Sequence, residues 1–268
     1  MYKRQPSVTT GAYAINKELL YLGVSGDGDS ASIGIGQLIH AIRRNMDMVY
    51  IVENNGVYGL TKGQYSATAD VGSKKKKGPA NETQPIDLCA LAINLGCTFV
   101  ARSFSGSKKQ LTSILKAAMS HKGFALIDVI SPCVTFNNND ESMRSYGYVK
   151  ENEITLHMAD YIPHFNPMVE IEVPEGHYRD ITLHDGSTIR LETISDEHDP
   201  SNAVAALTAL HEAEAGKKHV TGLLYFDATK PSLAEDLGLV DQALVDVSDE
   251  ALRPDRASLD ALNAEFLA

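Results

Sequence analysis

Leu20-Tyr21-Leu22-Gly23-Val24-Ser25 runs directly into Gly26-Asp27-Gly28-Asp29, and behind that turn Ile35, Leu38, Ile39 and Ile42 recur at spacings of three and four. An apolar β-rich run, a tight Gly/Asp turn and an amphipathic helix make the opening of a parallel β–α unit. Three further runs, Met48–Glu53, Cys97–Ala101 and Phe124–Ile130, are almost continuously apolar, as strands covered on both faces must be. Between them Leu88, Leu91, Ala92 and Leu95, and then Leu111, Ile114, Leu115 and Ala118, give each crossover one buried helical face. The expected fold class is α/β, a doubly wound and mostly parallel sheet.

Working outward, a helix is expected from about Thr9 to Glu18, feeding the first strand almost at once. Four strands fall short of the five or six usual for an open sheet, so an N-terminal part of the domain is expected to be missing. Asn54 to Pro85 reads as one long irregular segment around Lys74-Lys75-Lys76-Lys77, either a solvated tip or a surface for an acidic partner. Beyond Asn139 the pattern changes. Ile181–His184 and Thr188–Glu192 flank a hairpin turn at Asp185-Gly186, Pro200 opens a helix to about Ala215, and Val220–Phe226 is a further strand. Residues 1–139 therefore read as the site-bearing domain and residues 140–268 as a C-terminal α+β extension packed on it.

The 268 residues carry 24 Lys and Arg against 35 Asp and Glu, a net charge of −11 that argues against a nucleic-acid or anionic-membrane binder. Cys89, Cys97 and Cys133 form no Cys-x-x-Cys pair, and no apolar run approaches the ~18 residues of a membrane span. A reducing cytoplasmic setting is expected. His40 sits on a helix beside Leu38 and Ile39 and reads as packing, while His157, His164, His177, His184 and His198 lack metal-ligand spacing.

The Gly26-Asp27-Gly28-Asp29 turn lies at the carboxyl end of a parallel strand, where ligands of open α/β sheets collect and where a helix N-terminus favours phosphate. Gly26 through Ala31 also fits a Rossmann dinucleotide fingerprint, with Glu53 placed for a ribose, so an NAD- or FAD-binding protein is one reading. Asp27 works against it. A carboxylate between two phosphate-contacting glycines repels a pyrophosphate, at ~4 Å by several kcal/mol, unless a divalent cation lies between. Asn54-Asn55-Gly56-Val57 leaves the next strand at the same sheet edge. Asp27, the Asn55 amide oxygen and the Val57 carbonyl are three of the six oxygen ligands Mg²⁺ prefers, with diphosphate oxygens and water for the rest.

Gly26-Asp27-Gly28 separated by 25 residues from Asn54-Asn55 resembles the signature of thiamine diphosphate enzymes, among them non-oxidative decarboxylases. The likeness extends through Leu38 to Asn45, Tyr58-Gly59-Leu60-Thr61-Lys62-Gly63-Gln64-Tyr65-Ser66, Ser131-Pro132-Cys133, Phe136-Asn137, Asp199-Pro200 and Thr221 to Tyr225. Over that span the chain resembles the β subunit of 2-oxoacid:ferredoxin oxidoreductases, the 2-oxoglutarate type most of all. The resemblance implies the pyrophosphate-binding domain of thiamine diphosphate enzymes, a partner α subunit carrying the activating glutamate, and CoA-dependent oxidative decarboxylation with electrons passed to ferredoxin. Carried over residue by residue, Asp27, Asn55 and Val57 hold Mg²⁺, Gly26, Gly28 and Asp29 hold the diphosphate, and Tyr58, Gly59, Leu60 and Thr61 face the thiazolium. The same resemblance implies a [4Fe-4S] cluster on four cysteines, of which only Cys133 has a counterpart here; the other three would precede Pro6, where the likeness begins.

Overall fold

The computed structural model describes residues 2–75, 78–164, 178–193 and 198–267. The N-terminal half runs α1 (Gln5–Ile15), β1 (Leu22–Gly26), α2 (Ile35–Arg44), β2 (Met48–Asn54), the short pair β3 (Val57–Tyr58) and β4 (Gln64–Tyr65), α3 (Leu88–Asn94), β5 (Phe99–Phe104), α4 (Lys108–Met119) and β6 (Phe124–Ile130). The rest adds α5 (Tyr146–Asn152), β7 (Glu153–Thr155), β8 (His157–Ile162), β9 (Tyr178–Thr182), β10 (Thr188–Thr193), α6 (Ala203–Ala215), β11 (His219–Phe226) and α7 (Leu233–Leu237). Two C-terminal helices, α8 (Asp249–Leu252) and α9 (Arg256–Leu267), close the chain.

The main sheet has the order β1-β2-β6-β5-β11-β7. β1, β2, β6 and β5 are parallel, so the carboxyl ends of β1 and β2 lie side by side, with Gly26 opposite Glu53. Alternation along the strands feeds two cores. Tyr50, Val52, Val100 and Leu126 pack against Leu38 and Ile42 of α2, Cys89 and Ala92 of α3 and Leu210 of α6. Val49, Phe99, Ala101 and Ile127 meet Ile114 and Ala118 of α4, together with Ile189 and Leu191 of the second sheet, β8-β10-β9. Both faces are thus apolar, which is why the central strands read as unbroken hydrophobic runs.

The structure moves several expected boundaries. β6 spans the residues read from the sequence, whereas β1 begins at Leu22, β5 runs on to Phe104, α1 ends at Ile15, and α6 starts at Ala203, capped by the Asn202 side chain. Between the Gly26–Asp29 turn and the expected amphipathic helix, a wide π-type turn spans Gly28–Ile33 and α2 follows at Ile35. The sheet has six strands, not four, because the C-terminal half returns through β11, antiparallel to β5, and adds β7 at the edge. Strand count therefore gives no reason to think part of the domain is missing. The segment after Asn54 is also more ordered than expected: Lys74 pairs with Glu141 at 2.7 Å, and Lys75 donates to the Gly63 carbonyl and lies over the Tyr65 ring. Lys76, Lys77 and His177 lie outside the described residues.

Candidate cofactor site

Asp27 stands at the end of β1 with 1% of its surface exposed. Its Oδ2 accepts hydrogen bonds from the hydroxyls of Ser66 and Thr68, the latter at 2.6 Å, and its Oδ1 accepts only a long bond, 3.4 Å, from the Asn55 amide. Among the described residues no Lys, Arg or His nitrogen lies within ion-pair distance of this carboxylate. A buried carboxylate carries a large desolvation cost unless a cation or donors offset it.

Three other carboxylates nearby, Asp128 buried and Asp70 and Asp87 half-buried, do have cations. Arg102 donates to Asp128 and Asp87 at 2.8 Å each, and Arg144 donates to Asp70 at 2.7 Å. Burial pushes the Asp70 and Asp87 carboxyls up, but the guanidiniums of Arg144 and Arg102 outweigh it and hold both below the ordinary carboxylate range. Asp27, by contrast, has hydroxyl donors and no such cation among the described residues.

The groups expected around that cation are brought together. Asn55 lies against Asp27 through its amide, its side-chain oxygen accepts from Val57 N at 3.0 Å, and its carbonyl accepts from Asn137 Nδ2 at 2.8 Å. Asn137 Oδ1 is buried without a hydrogen-bond partner among the described residues. Tyr58 donates its hydroxyl to the Gly28 carbonyl at 3.2 Å, and its ring packs so closely that a Cβ on residue 28 would lie 2.3 Å from it. Glycine is the residue that permits this approach. A Cβ on Gly26 would meet nothing within 4 Å, so open space adjoins the backbone there. An oxygen donor set of carboxylate, amide and carbonyl beside an open turn suits Mg²⁺ and a diphosphate.

The remaining expected residues are placed unevenly. The side chain of Asp29, half-buried, lies in the π-type turn, and Gly59 has Cys133 Sγ 3.9 Å from the position a Cβ would take. Leu60, 99% exposed, and Thr61 face solvent, so this chain alone builds no wall around them. Glu53, the ribose ligand of the Rossmann reading, is exposed at the end of β2. Cys89 and Cys97 are buried in the core, and burial pushes both thiols up, Cys97 to about 12. They are inert packing groups and nowhere join Cys133. The described residues hold no cluster of three or more His, Cys, Asp or Glu fit for a metal, so a four-cysteine iron–sulfur site does not fit them. Ser66, Thr68, Asn54 and Asp128 were not singled out from sequence. Asn54 bridges them, donating to Asp128 at 2.8 Å while its oxygen lies 2.9 Å from Thr68 Oγ1.

The mixed α/β fold with its mostly parallel central sheet is of the thiamine diphosphate-binding type. Residues 4–129 match the family described as thiamine pyrophosphate enzyme, C-terminal TPP binding domain. The chain is similar to the β subunits of 2-oxoacid:ferredoxin oxidoreductases. It is 41% identical over 171 residues to 2-oxoacid:ferredoxin oxidoreductase subunit beta of Sulfolobus sp, covering 63% of this chain and 54% of that one. To 2-oxoglutarate oxidoreductase subunit KorB of Mycobacterium tuberculosis it is 38% identical over 149 residues, 55% and 40% of the two chains. Among solved structures it resembles 2-oxoglutarate:ferredoxin oxidoreductase from Magnetococcus marinus with 2-oxoglutarate, coenzyme A and succinyl-CoA bound, at TM-score 0.69 and 28% identity, over 97% of this chain and 73% of that one. The chain spans about half the length of the curated relatives it matches. These likenesses lend no support to the dinucleotide-binding or non-oxidative decarboxylase readings.

Proposed function

We propose that this chain supplies the Mg²⁺- and diphosphate-binding side of a 2-oxoacid:ferredoxin oxidoreductase acting on 2-oxoglutarate, with an α subunit completing the site. The observation that carries this is Asp27, a buried carboxylate without a cation, set against Asn55 where two parallel strands end. Asp27, the Asn55 side-chain oxygen and the Val57 carbonyl hold Mg²⁺; Gly26, Gly28, Asp29 and the amides of the following turn hold the diphosphate. Thiamine diphosphate, when bound, supplies the electron sink that decarboxylation of a 2-oxoacid requires.

The chain's own residues position that cofactor. Ser30 donates to the Gly26 carbonyl at 2.9 Å and Tyr58 to the Gly28 carbonyl, so the turn is held from both ends. Tyr58, Gly59, Leu60 and Thr61 form the hairpin turned toward the thiazolium, and the exposure of Leu60 and Thr61 fits a wall completed by another subunit. Coenzyme A and ferredoxin are the further partners, in the cytoplasm, where thiols such as Cys133 stay reduced. An iron–sulfur cluster belongs to this reading only with cysteines beyond the three this chain carries.

Thermal unfolding of the full chain tests the site. Thiamine diphosphate with Mg²⁺ is expected to stabilise the protein by about 2.7 kcal/mol at a hundredfold excess over its dissociation constant, and neither component alone to do so. Asp27→Asn is expected to abolish the effect. Stabilisation by NAD without metal would overturn the reading.

A further inference from the structure

We infer that Thr68 and Ser66 are positioning residues that hold Asp27 as a one-oxygen ligand and thereby suit the site to Mg²⁺ over Ca²⁺. The inference rests on the cation site proposed above and concerns residues outside it. Both hydroxyls converge on Oδ2 of Asp27, while Oδ1 meets no side chain among the described residues. A hydroxyl has one proton to give. Thr68 Oγ1 faces two acceptors, Asp27 Oδ2 at 2.6 Å and Asn54 Oδ1 at 2.9 Å, and the orientation of Asn54 is set by its Nδ2 bond to Asp128. The charged and nearer acceptor takes the proton, since hydrogen bonds to an ionised oxygen are about twice as strong as neutral ones. Oδ2 is then occupied by two donors and Oδ1 is the oxygen free to bind a cation.

Neither hydroxyl floats. Arg144, itself buried, donates from Nη2 to the Thr68 carbonyl at 2.7 Å and from Nε to Asp70 at 2.7 Å, clamping the backbone from Thr68 to Asp70. Asn137, seven residues earlier on the same segment, holds the Asn55 carbonyl. The stretch between them braces both arms of the site, the hydroxyl arm from β4 and the amide arm from β2. Mg²⁺ demands a compact octahedron of single oxygens, whereas Ca²⁺ readily takes a carboxylate through both. Tying up Oδ2 therefore favours the smaller ion.

Calorimetric titration of Mg²⁺ and, separately, Ca²⁺ into the full chain with saturating thiamine diphosphate tests this. Thr68→Val keeps the shape and removes the hydroxyl. It is expected to weaken Mg²⁺ binding by about 10–100-fold, the usual scale for losing a group that orients a metal ligand. Ca²⁺ binding should fall much less, because Oδ2 becomes available to it, and Thr68→Ser should restore the preference. Should Thr68→Val fail to fold by its metal-free unfolding curve, Ser66→Ala is expected to show the same narrowing of the Mg²⁺/Ca²⁺ ratio. An unchanged Mg²⁺ affinity, or equal losses for both ions, overturns the positioning role while leaving the site assignment intact. A wild-type chain that binds thiamine diphosphate with neither ion overturns both.

Discussion

His121 and His157 show how single residues set the pH response of this protein. His121 lies within 2.7 Å of Thr98 Oγ1, its ring packed against Phe99, Phe226 and His184. Burial, with some help from the His184 charge, lowers its pKa from 6.5 to about 3. His157 accepts from the Leu223 amide at 2.6 Å, and burial beside His198 likewise brings it to about 3. Both stay neutral in the folded protein while the unfolded chain takes up protons below pH 6.5. Stability is thus unaffected above 6.5 and falls as pH drops toward 3, by about 1.4 kcal/mol per unit for each histidine. Urea unfolding at pH 7 and pH 5 should differ by about 4 kcal/mol from this pair. His121→Phe should remove about half of that difference; an unchanged difference would refute the assignment to these rings. At this scale Asp27, Asn55 and the glycines could be proposed from the sequence because their spacing is local and chemically distinctive. Ser66 and Thr68 were not, since a hydroxyl 39 or 41 residues along the chain from its acceptor leaves no local pattern.

Among the elements, β11 departs furthest from the sequence reading. Its apolar run announced a strand, but which edge it joins and in which direction depends on packing rather than on its own residues. It runs antiparallel to β5 with an irregularity between Leu223 and Tyr225, and Gly222 takes a φ of +129° just before it. A Cβ there would lie 2.9 Å from Nε2 of His157, the same nitrogen that accepts the Leu223 amide. Gly222→Ala is accordingly expected to cost about 1–3 kcal/mol through backbone strain and to loosen β8 from β11. Denaturant unfolding measures the loss, and hydrogen exchange at Leu223 should rise; a neutral substitution would show that this backbone is not constrained. By contrast β6 was read to the residue, because a strand buried on both faces reads as a near-continuous apolar run, broken here only by Asp128, which Arg102 neutralises.

For the whole molecule, the C-terminal arm carries little of the fold. Residues 248–266 are all exposed, so removing everything after Val247 should change unfolding free energy by no more than about 0.5 kcal/mol. A larger loss would mean that the arm packs on the body in solution. Among the described residues no helix is long and apolar enough to cross a membrane.

By itself the sequence determined the parallel wind of the first half and the turn that ends β1, because periodicity and short-range spacing encode them directly. The tertiary structure decided how the sheet is completed, which acids are neutralised by arginine and that Asp27, among the described residues, is held by hydroxyls instead. Those outcomes turn on distances between residues far apart in the chain, such as Arg102 and Asp128 or Asp27 and Thr68. Burial makes each of these pairings obligatory, since an unpaired charge in the interior is costly, but only the folded chain brings the partners within reach.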